Sequence, residues 1–450
     1  MQKLIFIFFL FLFTFKGFSQ VSQNVNLLYQ WNDTSITLNF RDARYSDVWG
    51  FAQGGKEYAV IGSTFGTHVF DVTIPASTYQ CDSVGGAFQG FGVNHRDYKN
   101  YNGYLFGVCD EGPSTLQIFD LSFLPDSISK VYDSDALFIK AHTIFIDTNT
   151  ARLYVCGPTG GNALSIYSIS NPVSPLLLAH YNGVAYVHDI YVRNDTAYMN
   201  CGTGLYIADF QNPLAPIPLG SLTGYPDQGY NHSGWLNTPG DVYVFCDETY
   251  GKKVKVCDVT NFGNIQIKSS FTSGVSDSSV AHNAFIKDNF VYLAYYNDGL
   301  QIFNISDPLI PVRTGYYDTF PSAQDDDFRG AWGVYPFLPS GTVLLSDRNT
   351  GLYVFDVSQA LVGIKDLNAD VENLSIYPNP SFNQLTIAFE NPEQKSFNLT
   401  IYSSKGELLK EIKNYTSNKI DLSINKYSQG TYFVKLQSRT KILVGNFIIN

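Results

Sequence analysis

Five of the seven histidines recur at nearly one interval: His95 (NHRDY), His142 (AHTIF), His188 (VHDIY), His232 (NHSGW) and His282 (AHNAF), at steps of 47, 46, 44 and 50 residues. Trp49 (SDVWGF) and Trp332 (GAWGVY) continue the series by 46 and 50 residues at its two ends. A neutral imidazole offers a lone pair to a transition metal and titrates near neutral pH, so converging histidines suit metal binding and proton transfer. Asp97 and Asp189 follow two of them by two and one residues, each a carboxylate that can serve as ligand or general base. Such a donor set would take a divalent transition metal as cofactor and support hydrolase or lyase chemistry through a metal-activated water. The spacing selects none among zinc, manganese, iron and copper.

Residues so far apart in the chain meet only if the elements carrying them repeat in space. The stretch 281–311 (AHNAFIKDNFVYLAYYNDGLQIFNISDPLIP) reads as three short strands: an alternating run, a turn at Asp288-Asn289, an apolar run, a hairpin at Asn297-Asp298-Gly299, then LQIFNIS. The third strand occurs seven times, as THVFDVT, LQIFDLS, LSIYSIS, LYIADFQ, VKVCDVT, LQIFNIS and LYVFDVS. Its polar fifth position holds Asp71, Asp120, Ser168, Asp209, Asp258, Asn304 and Asp356, at steps of 41 to 52 residues. Periods of about 40–50 residues with several strands per unit point to propeller blades. A β-sandwich would not need seven copies in phase. The expected fold is therefore all-β: a seven-bladed β-propeller over 20–364, a polar linker at 365–372, and a small β-sandwich over 373–450. The run VNLLYQW at 25–31 resembles the fourth strands of other units, and the seventh unit lacks one, so this N-terminal strand is expected to close the last blade and remove its open edge.

In a propeller the first strand of each blade lines the central channel, so the histidines would form a ring near one mouth, with His142, Ile144 and Ile146 on one face. If that face looks inward, five imidazoles converge above aliphatic plugs, with Trp49 and Trp332 beside them. If it looks the other way, each histidine ties a backbone or carboxylate group between blades, as in repeats of the WD type. Both readings stand on the sequence. Asp110-Glu111 and Asp247-Glu248 follow Cys109 and Cys246 at hairpin turns, where solvated carboxylates are ordinary and a cation site is the sharper alternative. Asp325-Asp326-Asp327 reads as a solvated loop. Cys109, Cys156, Cys201 and Cys246 occupy similar second-strand places and read as buried free thiols, because equivalent sites in neighbouring blades stand too far apart to bridge. Cys246 and Cys257 are the one pair that a hairpin would bring face to face. No GxSxG elbow, phosphate-binding glycine loop, HExxH or CxxC zinc spacing is present.

Residues 1–19 read as a signal peptide: an early lysine, the run IFIFFLFLFTF, and Gly17 and Ser19 before the cut. No other stretch suggests a membrane span, so none is expected in the mature protein. The formal charge is −11, about −13 once Lys3 and Lys16 leave with the leader, which argues against nucleic acid as a partner.

The tail resembles the type A C-terminal sorting domain of the type IX secretion system of Bacteroidetes. The resemblance rests on Tyr377-Pro378-Asn379-Pro380, Ile401-Tyr402 with Lys405-Gly406, Gln429-Gly430-Thr431-Tyr432-Phe433 and Lys441-Ile442-Leu443. It implies passage through the periplasm, the type IX machinery as partner, removal of the domain, and a secreted or outer-membrane-surface product. The propeller resembles the choice-of-anchor B family, akin to the LVIVD repeat, through Ser46-Asp47-Val48-Trp49-Gly50, His95-Arg96-Asp97, Ala141-His142, His188-Asp189, His232-Ser233-Gly234-Trp235, Ala281-His282-Asn283 and Gly330-Ala331-Trp332-Gly333. That family brings no activity with it. The leading expectation is a surface or secreted binding module for an extracellular ligand the sequence does not name; the alternative is the metal-dependent enzyme.

Overall fold

A computed structural model describes residues 22–276, 279–321, 328–361, 374–392, 394–403, 408–438 and 442–449. The signal peptide, the linker, the Asp325–Asp327 run and Lys405-Gly406 lie outside these residues. The chain divides into two units, 1–361 and 362–450.

The first unit is a seven-bladed propeller. Five of its seven sheets carry four antiparallel strands in sequence order, for example Tyr45–Gln53, Lys56–Ser63, Gly66–Asp71 and Tyr79–Gly85 in the first blade; blades six and seven each add an N-terminal strand. First strands pack against one another around the circle, and that of blade seven (Ala331–Tyr335) packs against that of blade one. The repeated polar residue that closes each third strand has a definite task. The side chains of Asp71, Asp120, Asp209, Asp258, Asn304 and Asp356 accept the backbone N–H two residues on, at 2.7–3.0 Å. This stops the strand and starts the next turn. Blade three has Ser168 there, and its hydroxyl reaches the same N–H only at 3.4 Å.

Blade seven takes its outer strand from the other end of the unit: Asn26–Trp31 pairs with Gly351–Asp356, from Asn26 opposite Asp356 to Trp31 opposite Leu352. Ser22–Gln23 adds a fifth strand to blade six, against Val312–Tyr317. Trp31 then carries the join into blade one, its ring 5.3 Å from Tyr45, 5.0 Å from His68 and 4.9 Å from Phe70.

The six cysteines are free, as the blade spacing requires. The expected facing of Cys246 and Cys257 does not occur. Cys257 stands opposite Tyr243 and packs toward blade four, whereas Cys246 stands opposite Ser233 and packs toward blade six. An odd register offset puts them on opposite faces of the sheet.

The second unit holds a three-stranded sheet (Ser375–Tyr377, Gln384–Ala388, Lys419–Ser423) and a four-stranded one (Leu408–Tyr415, Phe397–Ser403, Gly430–Gln437, Ile442–Ile449). Both sheets feed one core, with Leu385, Ile387 and Leu422 from the first and Leu399, Val434 and Phe447 from the second. Asn379 ties the Tyr377–Pro380 segment to the last strand, donating to Asn446 O at 3.1 Å and accepting from Ile448 N at 2.9 Å.

Candidate functional site

The register of the first strands sorts the channel into three layers. The uppermost is a closed hexagon of rings. His95–His142, His142–His188, His188–His232, His232–His282, His282–Trp332 and Trp332–His95 have centroid separations of 4.9, 4.1, 4.2, 4.4, 4.2 and 5.4 Å. All five histidines thus face the channel. Beneath them lie Asp47, Asp97, Thr143, Asp189, Ser233 and Asn283, around a cavity of about 240 Å³. Below those, two residues further along each strand, comes an aromatic floor in which Trp235 packs 4.6 Å from Tyr191 and 4.5 Å from Phe285.

Two expectations about these layers need correction. Trp49 is not at the mouth. It lies in the floor beside Tyr335 (4.8 Å), donates from Nε1 to Asn100 Oδ1 at 2.8 Å, and is covered by the Lys99 ammonium at 4.4 Å. A bulge between Tyr45 and Val48 shifts blade one, so Val48 stands opposite Ile61 as Tyr98 stands opposite Gly107. Asp47 therefore matches Asp97, and Trp49 matches Lys99. Blade one gives the upper layer no ring, which is why it has six members. The plug is also not aliphatic. His142 sits just before its strand, so Thr143 and Phe145 face the channel while Ile144 packs between blades.

The turn acids divide by role. Counted from the residue opposite each polar fifth position, the sixth residue on is Asp110 in blade two, Glu248 in blade five, Tyr296 in blade six and Arg348 in blade seven. These four crown the histidine ring. Asp110 Oδ2 lies 2.9 Å from His142 Nδ1, and Glu248 accepts from Tyr296 OH at 2.5 Å. Arg348 is buried with its guanidinium 4.5 Å over Trp332. Glu111 and Asp247 are structural instead. Glu111 accepts the N–H groups of Asn94 and His95 at 2.9 and 3.1 Å. Asp247 accepts from Tyr225 OH, Gly229 N and Lys255 Nζ at 2.6, 3.0 and 2.7 Å. Aligning the two Cys-Asp-Glu runs by sequence is thus one residue out of step with the fold. The pairing signal that finds Tyr296 and Arg348 lies in the third strand, not in any motif around them.

Electrostatics separate the members of the ring. Burial, then the neighbouring imidazoles, hold His95 and His188 well below the ordinary histidine range, and burial does the same at His282 and, less strongly, at His232. At His142 burial also opposes charge, but the hydrogen bond and charge of Asp110 outweigh it and the shift is upward. Neither ring nitrogen of His95 meets a partner among the described residues, nor does Nδ1 of His188 or His232. His282 is tied through Nδ1 to Trp332 O at 2.6 Å.

Asp97 has both oxygens engaged, one with Lys99 Nζ and one with Ile144 N, each at 2.7 Å. Burial and then Asp97 hold Asp47 far above the carboxylate range, while Lys99 stays charged because Asp97 and Asp47 outweigh its burial. Burial also pushes Asp189 up to about 6. A carboxyl raised on folding adds stability below its unfolded value, and that contribution is lost as pH rises through the folded one. Asp189→Asn is therefore expected to raise the urea midpoint above pH 6 and to leave it unchanged near pH 4. A gain confined to low pH would contradict a buried, protonated Asp189.

Comparison with known proteins places both units. Residues 375–450 match the secretion system C-terminal sorting domain, and residues 280–319 match the LVIVD repeat. The chain is a β-propeller with an LVIVD repeat and a type IX sorting domain. That domain implies handling by the type IX machinery and export to the outer-membrane surface or beyond. Among the described residues, no helix is long and apolar enough to cross a membrane. No curated protein matches the chain.

Similar solved structures are found at low identity. PorZ, a surface component of the type-IX secretion system of Porphyromonas gingivalis, is 12% identical at a TM-score of 0.47, over 89% of this chain and 58% of that one. A protein from Lactobacillus plantarum is 10% identical at 0.52, over 84% and 99%. The β-propeller domain of Cps50 (Swd1) from Myceliophteria thermophila is 11% identical at 0.49, over 74% and 99%.

Proposed function

We propose that this exported propeller, of the choice-of-anchor B type, is a binding module that takes a small polar ligand into the channel at the histidine ring. The observation that carries the reading is the set of buried imidazole nitrogens at His95, His188 and His232 that find no partner among the described residues, beside a cavity of about 240 Å³. A ring built only to tie blades together would spend those nitrogens on backbone or carboxylate groups, because a buried polar atom left unpaired costs about 1–3 kcal/mol. His282 and His142 do have such ties; the other three leave nitrogens without one among the described residues. The cavity offers donors and acceptors together (imidazoles, Ser233, Asn283, the Asp47–Asp97 pair), which suits a compact ligand with both carboxylate or hydroxyl and amine character.

The test is a thermal-shift screen of small amino acids, hydroxy acids and sugars on the mature chain and on His188→Phe, which keeps the stacking against His142 and His232 while removing the nitrogens. A ligand at about 100 times its Kd stabilises by about 2.7 kcal/mol. Binding is supported if a compound raises the wild-type Tm and fails to raise that of the variant. A variant that is itself strongly destabilised, with no compound moving the wild type, would make the ring a structural tie and end the proposal.

A further inference from the structure

We propose that His232, Glu248 and His282 form a divalent transition-metal site on the upper face of the ring, with one coordination position open to the channel. One donor atom from each of the three lies within 4.8 Å of the other two. His232 Nε2 is 3.6 Å from Glu248 Oε2, and His282 Nε2 is 3.9 Å from Glu248 Oε1. Both gaps are too long for a hydrogen bond. They approach the ~3.3 Å that separates two ligand atoms each ~2.0–2.1 Å from a tetrahedral ion.

The surroundings orient these donors as a metal site would require. His282 Nδ1 donates to Trp332 O, which fixes the tautomer and leaves the Nε2 lone pair directed toward Glu248. Tyr296 OH holds the Glu248 carboxylate at 2.5 Å. His232, stacked against His282 at 4.4 Å, has a buried Nδ1 with no partner among the described residues, and its Nε2 lies 3.6 Å from the same carboxylate. The hexagon itself argues for a site on its edge. With sides of 4.1–5.4 Å its centre is about 4–5 Å from every centroid, beyond the reach of an imidazole nitrogen that binds at ~2.1 Å, so no axial ion engages all five histidines. Two imidazoles and one carboxylate suit zinc, iron(II) or cobalt(II), and three protein ligands leave a place for water or a ligand oxygen.

The inference goes beyond the binding reading and needs only these three side chains. It is tested by titrating chelator-stripped mature chain with cobalt(II) alone, following the visible absorption that strengthens when the hydrated ion enters a four-coordinate site. One equivalent is expected in the wild type and in His180→Ala, a histidine remote from the ring. Glu248→Gln, nearly isosteric and still able to accept from Tyr296, is expected to weaken binding at least ~100-fold. His282→Ala should do the same. Absence of a stoichiometric spectrum in the wild type, or its persistence in Glu248→Gln, would overturn the site, and neither result bears on the small-ligand screen.

Discussion

Excising residues 22–31 should lower the melting temperature of the propeller by on the order of 10 °C. The deletion removes the outer strand of blade seven, five of whose six residues pair across the closure with the Gly351–Asp356 strand, and the short strand that edges blade six. It uncovers the flank of Tyr353, which Gln30 Nε2 reaches at 2.7 Å, and removes Trp31 from its packing against Tyr45, His68 and Phe70. Trp31 is half-buried, so its loss costs less than the about 3–5 kcal/mol of a fully buried indole, but with the strand pairing the sum reaches a few kcal/mol, which moves Tm by several degrees for a domain of this size. A point variant checks the mechanism. Gly351 has φ of +97°, and a Cβ there would stand 2.0 Å from Trp31 O. Gly351→Ala should therefore push the closing strand away and lower Tm in the same direction by a smaller amount. Calorimetry showing an unchanged transition after the deletion would mean that the join is ornamental.

Lys255→Met should destabilise the propeller by about 3–5 kcal/mol, the usual result of leaving a buried charge without its partner. Lys255 and Asp247 meet at 2.7 Å with side chains 1% and 0% exposed. The Lys255 ammonium also donates to the carbonyls of Asp227 and Lys253, both at 2.8 Å. Removing the cation strands an acid that cannot reach water. The double variant Asp247→Asn/Lys255→Met should recover part of the loss, since no charge is stranded and the single amide oxygen keeps one of the two bonds that Tyr225 OH and Gly229 N make to separate oxygens of Asp247. Urea unfolding of the four forms measures the coupling. Single and double variants of equal stability would contradict a paired charge. The same comparison bears on the metal proposal, because Asp247 anchors the turn that presents Glu248, so cobalt binding should weaken in Lys255→Met and return with the fold in the double variant.

Much of the architecture is legible in the sequence because it is written in repetition. Seven third strands ending in the same hydrogen-bonding residue declare the blades, and five histidines in one slot declare a ring with Trp332 among them. What escapes is register. A one-residue slip in a strand changes which face a side chain takes. The bulge before Val48 moves Trp49 down two layers, the start of the strand at Thr143 rather than His142 exchanges Phe145 for Ile144, and the offset in blade five makes Glu248, not Asp247, the counterpart of Asp110. Tyr296 and Arg348 carry no motif at all. They become visible only once the pairing of second with third strands is known.

The pairing of Asn26 with Asp356 also fixes an order of events during folding. These partners are 330 residues apart, so the first finds its mate only after the whole run of blades has followed it. Until then the earliest blade-forming segment is a strand without a mate, the kind of edge that recruits neighbouring chains. The circle cannot lock from the front. Its closing act is a late homecoming, and variants that stall it should accumulate as open arcs that assemble with each other rather than as unfolded chain.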